Sequence, residues 1–197
     1  MVEPGTGNKI LRAAKESLLE RGYAQLSTRS IAETAAVPLS QIHYHFGSKQ
    51  DLVLAVLEDE NRRLLKRQEE MFHRELPLWK RWEQACDYLE EDLDSGYVRV
   101  LQEMTAVGWS NHEVAAAVRE SLKGWFDLLE EVARRASERL GGLGRFTAAE
   151  ASVLAGAPFL GIEALILLGF SEEELPMRSA LRKAGDLLRG MEEDDEG

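Results

Sequence analysis

The residues best suited to chemistry in this 197-residue chain form a short imidazole and aromatic cluster, His43-Tyr44-His45-Phe46. Such side chains could bind a metal ion, act as a catalytic base or contact nucleic acid. Zinc binding is unfavourable because His43 and His45 lie two residues apart, whereas a zinc pair on one helix face lies four apart. A catalytic base needs a nucleophile or a pocket nearby, and the local sequence indicates neither. Contact with nucleic acid remains, and its alternative is that the cluster only covers a small core.

The cluster falls in a short predicted helix, Leu39 to Phe46. At about 100° per residue, Ile42 and Phe46 define the buried face. The other side presents polar groups without an acid: Ser40 and Tyr44 point outward, Gln41 and His43 flank them, and Leu39 and His45 lie nearer the buried edge. Base edges and phosphates in a DNA major groove need uncharged or basic partners of this kind. The helix is therefore predicted to be a recognition helix.

Helical periodicity dominates the rest of the chain, so we predict an all-α fold. A first helix with an apolar stripe is expected to end at Gly22, and Thr28 is expected to cap a second short helix. After the turn at residues 36–38, the recognition helix completes a helix-turn-helix arrangement. Ser48 and Asp51 then form a capping-box pair that opens a long connecting helix, residues 49–74.

The later sequence predicts further helices without a convincing strand. Thr147 and Glu150 form a second capping-box pair before an apolar helix from Ala149 to Phe170. Pro158 and Glu163 interrupt this apolar run, which favours a buried helix over a membrane span. The last helix is expected to start at Pro176, and the acidic tail, residues 191–197, is expected to be disordered.

Charge and cysteine content narrow the function classes. The net charge is −11, but residues 1–50 carry about +2 and the remainder about −13, so a mildly basic head precedes an acidic body. Cys86 is the single cysteine, which excludes a disulfide framework and a cysteine-based zinc site. The N-terminus lacks the apolar run of a signal peptide. We expect a cytoplasmic protein.

The segment from Leu26 to Glu58, "LSTRSIAETAAVPLSQIHYHFGSKQDLVLAVLE", resembles the DNA-binding signature of the TetR family of transcriptional regulators. The "STRSIAE" opening, the aromatic-His-Phe close and the "SK-x-x-L" restart occur in the family's order and spacing. The preceding helix, "ILRAAKESLLERGY", also fits. The resemblance implies an all-helical homodimer with a three-helix DNA-binding head and a larger C-terminal domain for an effector and for dimerisation.

The resemblance implies a division into a DNA-binding head, residues 1–50, and an effector-binding and dimerisation domain, residues 51–190. Carried over by position, the residues implied in DNA contact are Thr28, Arg29, Leu39, Ser40, Gln41, His43, Tyr44, His45 and Lys49. Three positions depart from the family pattern: Ala36 replaces a usual Gly, Pro38 a common capping Ser, and His43 a frequent Tyr.

Large apolar side chains after the head predict an effector pocket, as small-molecule sites are mostly apolar with a few polar groups. The pocket candidates are Trp79, Trp82, Tyr88, Tyr97, Glu103, Met104, Trp109, Trp125, Phe126, Phe159 and Glu163. Ordinary core packing is the alternative for each aromatic. Glu103 and Glu163 lie in apolar runs, so each needs a structural partner or a cationic group of a ligand. Small residues such as Gly156 and Gly161 would let the apolar helix join an intersubunit four-helix bundle.

Together these features predict a ligand-responsive, dimeric regulator, specifically a repressor released from a palindromic operator in double-stranded DNA by an apolar or aromatic effector. We expect no cofactor, no metal and no membrane partner. Two alternatives stay open: a helical scaffold that binds another protein through its acidic body, and a helical enzyme.

Overall fold

A computed structural model describes residues 5–72 and 74–193, and over these ranges the regular structure is entirely helical. The prediction of an all-α fold is confirmed. The helices in chain order are α1 (Thr6–Gln25), α2 (Thr28–Thr34), α3 (Leu39–Phe46), α4 (Lys49–Phe72), α5 (Leu78–Ser95), α6 (Tyr97–Gly108), α7 (His112–Arg139), α8 (Ala148–Leu167) and α9 (Met177–Glu193).

The chain divides into two compact units. Met1–Arg63 and Gly96–Ser121 form the first, called here the head unit, and Leu64–Ser95 and Leu122–Gly197 form the second, the body unit. The division follows packing, so it falls inside α4 and α7 instead of at residue 50. The predicted functional boundary between residues 1–50 and 51–190 stays a prediction.

The first helix of the head unit carries the expected apolar stripe. Ile10, Ala14 and Leu18 have no exposed surface. The helix does not end at Gly22 as predicted: Gly22 has a φ of +72° and breaks it, and a further turn reaches Gln25. Glycine tolerates this left-handed conformation because it has no Cβ.

The second helix begins one residue earlier than expected. Ser27, not Thr28, is the N-cap: its backbone is extended, and its side-chain oxygen accepts a hydrogen bond from the Ser30 amide at 3.1 Å. The predicted cap at Thr28 is therefore wrong, because Thr28 is already helical. The predicted capping box of α4 is confirmed: Asp51 N donates to Ser48 Oγ at 3.1 Å, and Ser48 N donates to Asp51 Oδ2 at 3.1 Å.

The body unit has two apolar clusters. Met71, Phe72, Tyr88 and Val132 form one, and Cys86, Leu89, Phe159 and Leu181 form the other. The second cluster lies between α5, α8 and α9. Trp82 fixes α5 to α9 because its Nε1 donates to the carbonyl oxygen of Leu181 at 2.6 Å.

The last helix extends further than the sequence predicted. The Glu192 carboxylate accepts hydrogen bonds from the Leu78 amide at 2.8 Å and the Trp79 amide at 3.2 Å. These are free N–H groups at the first turn of α5, which a carboxylate stabilises. The predicted disordered tail is therefore wrong for Met191–Glu193, which belong to α9. Residues 194–197 lie outside the described residues.

The apolar helix α8 is only partly buried. Its capping box at Thr147 and Glu150 is confirmed. Phe159 and Glu163 face the interior, whereas Val153 is 54% exposed. By length and composition α8 could cross a membrane, and 22% of its most apolar stretch is buried. The prediction of a buried helix is correct for one face and wrong for the other.

Candidate nucleic-acid interface

The third helix presents the polar face that the wheel predicted. Ile42 is fully buried, and Tyr44 is 82% exposed. Ser40 and His43 are also exposed, whereas Leu39 and Gln41 are half-buried. No acidic residue occurs in α3. The exposed donors and acceptors can therefore approach a polyanion without repulsion from their own helix.

His45 lies further out than the wheel suggested. Its side chain is exposed, and its ring meets Tyr44 edge to face with the ring centroids 5.1 Å apart. The expectation that it lies near the buried edge is wrong, because Ile42 is the single buried residue of this eight-residue helix. Tyr44 and His45 thus form one exposed aromatic edge.

The C-terminal end of α3 is held by an imidazole. His43 Nδ1 lies 2.8 Å from the Gly47 carbonyl oxygen. The tautomer protonated at Nδ1 donates this bond and leaves Nε2 as an exposed acceptor. His43 can therefore offer a hydrogen bond from a fixed ring position.

The turn before α3 contains the two unusual residues of the motif. Ala36, which stands where the family usually has Gly, adopts a φ of +52°. Pro38 precedes α3 without a side-chain capping bond, as its ring requires. Ala36 thus adopts the left-handed conformation of this turn although its Cβ makes that conformation sterically unfavourable.

The two basic residues predicted to contact DNA, Arg29 and Lys49, differ in whether their charged groups are already bound within the protein. Arg29 is exposed at the start of α2, beside the half-buried Thr28. Lys49 is already engaged within the head: its ammonium donates to the Tyr23 carbonyl oxygen at 3.1 Å and lies 4.3 Å from the Tyr23 ring centroid. To contact a phosphate, the Lys49 ammonium would have to bind it in addition to these groups of Tyr23 or in place of them.

The predicted pocket residues do not form one set. Tyr97, Glu103, Met104 and Trp109 belong to the head unit. Tyr97 and Met104 are buried there, and Trp109 is 83% exposed. The other candidates belong to the body unit: Trp79, Trp82, Tyr88, Trp125, Phe126, Phe159 and Glu163.

Aromatic residues of the body unit pack mainly on one another. Phe159 meets Trp82 and Trp125 edge to face, with centroid separations of 5.4 and 6.3 Å, and Phe126 lies 5.2 Å from Trp125. The Trp125 indole N–H donates to the buried Gln68 side chain at 2.8 Å. These contacts are those of core packing, which was the alternative to a pocket for each aromatic.

Two further aromatics of the body unit contact cations. The Arg67 guanidinium lies 4.1 Å from the Tyr88 ring centroid, and Lys80 Nζ lies 4.1 Å from the Trp79 centroid. Arg67 also donates to Asp92 at 2.7 Å. Both rings therefore support charged side chains of the protein itself.

A cleft of about 220 Å³ lies elsewhere in the body unit. Its lining combines apolar and charged residues of α4, α5 and α7: Glu69, Phe72, Arg81, Leu128, Glu131, Val132 and Arg135. Burial lowers the pKa of Arg81, and the positive charges of Arg139 and Arg135 lower it further. This cleft was not predicted from the sequence, where its signal is the helical spacing of the four residues from α7.

The pKa shifts of two other groups in the body unit, Cys86 and Glu131, are caused by burial and by ion pairs within the protein. Burial among apolar residues raises the pKa of the Cys86 thiol to about 11, which keeps it protonated at neutral pH. Hydrogen bonds from Arg134 and Arg135 lower the pKa of Glu131. Within the described ranges, no three His, Cys, Asp or Glu side chains are grouped so that they could hold a metal ion.

The segment that carries this interface matches a known protein family. Residues 10–56 match the sequence model of the family described as "Bacterial regulatory proteins, tetR family". The HTH-type transcriptional regulator UidR of Escherichia coli strain K12 is 29% identical over 123 residues, covering 58% of this chain and 57% of UidR. The chain thus spans less than two thirds of the curated relatives it matches.

Solved structures of transcriptional regulators have a similar fold. FadR from Bacillus subtilis, solved with stearoyl-CoA, aligns with a TM-score of 0.77 at 16% identity and covers 92% of this chain and 96% of its own. A Saccharomonospora viridis transcriptional regulator, solved with choline, aligns with a TM-score of 0.74 at 21% identity, covering 90% and 93%. At these identities the likeness establishes the fold.

Proposed function

Because the chain belongs to the TetR family of bacterial regulatory proteins, we propose that it is a ligand-responsive, DNA-binding transcriptional regulator. The observation that carries the proposal is the acid-free face of α3, where Ser40, His43, Tyr44 and His45 are exposed. Such a face offers hydrogen bonds to base edges and phosphates in the major groove. In this proposal the protein acts in the cytoplasm as a repressor.

Within this interface, the residues have separate roles. Gln41, with a paired donor and acceptor, reads a base, and adenine is the best geometric match. Arg29 and Thr28 lie at the start of α2, where side chains and helix amides approach phosphate. Phosphate contacts fix the register of the head, and α3 supplies sequence preference.

The active species in this proposal is a homodimer. Large apolar side chains remain exposed along α8, α9 and their connection: Val153, Leu154, Leu167, Leu168, Phe170, Leu175, Leu187 and Met191. So many exposed apolar side chains on two helices and their connection favour a protein interface. A second copy that covers α8 and α9 would form a four-helix bundle and pair two recognition helices. A two-fold dimer then requires a palindromic operator.

The effector site in this proposal lies in the body unit, at the cleft whose apolar lining residues are Phe72, Leu128 and Val132. An apolar or aromatic effector would pack on these side chains, and Arg81 or Glu131, which also line the cleft, would orient a polar group. Effector binding would favour a dimer whose recognition helices are wrongly spaced for the operator. Thermal-shift screening of a mixed chemical library tests this: hits should lose their effect in Val132→Arg, and hits that persist would place the effector elsewhere.

The DNA-binding proposal is tested by selection from a random double-stranded library at low salt. We expect a palindromic consensus and an affinity that falls steeply with salt through counterion release. Gln41→Ala should cost about 1–3 kcal/mol on the best site and relax preference at one position. Lys66→Ala, an exposed change in the body unit, serves as the control.

One outcome of the selection would reject the DNA-binding proposal. A folded, dimeric protein that enriches no duplex sequence would contradict it and would return the protein-interaction scaffold as the leading function. Reproducible catalytic turnover by the same preparation would favour the enzyme alternative.

A further inference from the structure

The connection between α1 and α2 is held by a side chain from far along the sequence. After the break at Gly22, the Tyr23 amide points away from the helix and donates to Glu103 Oε2 at 2.5 Å. Glu103 belongs to α6 within the same head unit. A second group fixes the carboxylate, because Arg99 Nε donates to Glu103 Oε1 at 3.1 Å.

Gly22 makes this approach possible. A Cβ built on Gly22 would lie 3.3 and 3.4 Å from the two carboxylate oxygens of Glu103. The φ of +72° also favours glycine. Glycine at position 22 therefore both permits the backbone conformation and leaves room for the Glu103 carboxylate.

The carbonyl group of Tyr23 is held from α4. Lys49 donates to the Tyr23 carbonyl oxygen at 3.1 Å and lies over the Tyr23 ring. The Leu26 amide donates to the same carbonyl at 3.3 Å. Tyr23 thus has its N–H bound by α6 and its C=O bound by α4, four residues before the N-cap Ser27.

We infer that Glu103 is a positioning residue for DNA binding, which couples α6 to the connection that sets where α2 begins. This inference rests on the proposed function and deepens it. A hydrogen bond from an amide to a carboxylate is stronger than a neutral one, and it is directional. Without it, the Tyr23 connection can rotate, and Thr28 and Arg29 lose their fixed place relative to α3.

The test compares operator affinity and amide exchange in full-length variants. Glu103→Ala should weaken binding to the selected operator about ten-fold or more, because a directional, charge-assisted bond is lost. Hydrogen exchange of the Tyr23 amide should accelerate, while exchange at the buried Leu18 should stay unchanged. Glu103→Gln keeps an acceptor oxygen and should restore part of the affinity.

Matched controls separate positioning from general damage. Glu120→Ala removes an exposed acid from the head unit and should leave affinity within two-fold of the wild type. Arg99→Ala should have a smaller effect than Glu103→Ala, because Arg99 only orients the carboxylate.

The outcomes of the two proposals are distinct. If the wild type selects no operator, the proposed function fails. If the wild type binds and Glu103→Ala binds equally well, or the Tyr23 amide exchanges at its wild-type rate, the positioning role is wrong and the proposed function stands. A Glu103→Ala variant that loses protection at Leu18 as well would show general destabilisation and would also reject the positioning role.

Discussion

Helices α3 and α8 each leave one face uncovered, and the two faces have opposite chemistry. On α3 the exposed side chains are hydroxyl, imidazole and phenol groups, whereas on α8 they include Val153, Leu154 and Leu167. A polar, acid-free face suits nucleic acid, and an apolar face suits a protein surface. The side-chain chemistry of an uncovered helix face therefore indicates which class of partner the face suits, even where the partner is unidentified.

The largest effect should come from breaking the apolar side of this contrast. Gly161 is exposed on α8, and a Cβ there would have no neighbour within 4 Å. Gly161→Arg should therefore leave the subunit folded. In a dimer it would bury an unpaired charge, at a cost of about 3–5 kcal/mol. Sedimentation should show monomers, and operator binding should be lost with the second recognition helix.

A charge-matched control keeps this test specific. Ala116→Arg adds the same side chain at an exposed position of α7 in the head unit and should stay dimeric. A fully dimeric Gly161→Arg variant would move the subunit interface away from this face of α8, and circular dichroism would verify the fold of both variants.

The head was largely predictable from sequence because its determinants are local. The capping pair Ser48 and Asp51 and the buried Ile42 lie within a short segment, so spacing alone defines the helices and their faces. The misplaced cap shows the limit: Ser27 and Thr28 are adjacent residues of similar chemistry, and only the backbone conformation distinguishes them.

The body unit was less predictable because its contacts join distant residues. Trp125 meets Gln68, and Glu192 reaches the amides of Leu78 and Trp79, across separations that no local pattern encodes. Composition could therefore predict an aromatic core but could not show which residues line a cleft. The need of Glu103 for a partner was predicted, but the partner was not, since nothing near Glu103 in sequence indicates that it binds the Tyr23 amide.

Two glycines of α8 lie in different surroundings, one packed against side chains of α7 and one exposed. A Cβ on Gly156 would lie 2.6 Å from a ring carbon of Phe126 and 2.9 Å from a methyl of Leu129. Gly156→Ala should therefore lower the free energy of unfolding by about 1–3 kcal/mol through overpacking. Gly161→Ala should raise it by about 0.5–1 kcal/mol, as alanine is favoured over glycine in a helix.

Both glycine variants are compared by urea unfolding at one protein concentration, because the proposed dimer would make apparent stability depend on concentration. Opposite signs would support the assignment of the two faces. Shifts in the same direction would mean that Gly161 is packed as tightly as Gly156.

The smallest effect should come from the turn before α3. Ala36 adopts a φ of +52°, whereas the neighbouring Ala35, the C-cap of α2, has right-handed backbone angles with a φ of −74°. Ala36→Gly removes a steric cost of about 1–2 kcal/mol but adds conformational entropy to the unfolded chain, which offsets about 0.5–1 kcal/mol. We expect a net gain of about 0.5 kcal/mol, measured as slower hydrogen exchange at Ile31 and Ile42. Ala35→Gly is the matched control and should lose about 0.5–1 kcal/mol, because its backbone gains nothing from glycine. If both variants lost protection equally, the left-handed conformation of Ala36 would be contradicted, and the departure from the family's glycine would have no energetic consequence for the recognition helix.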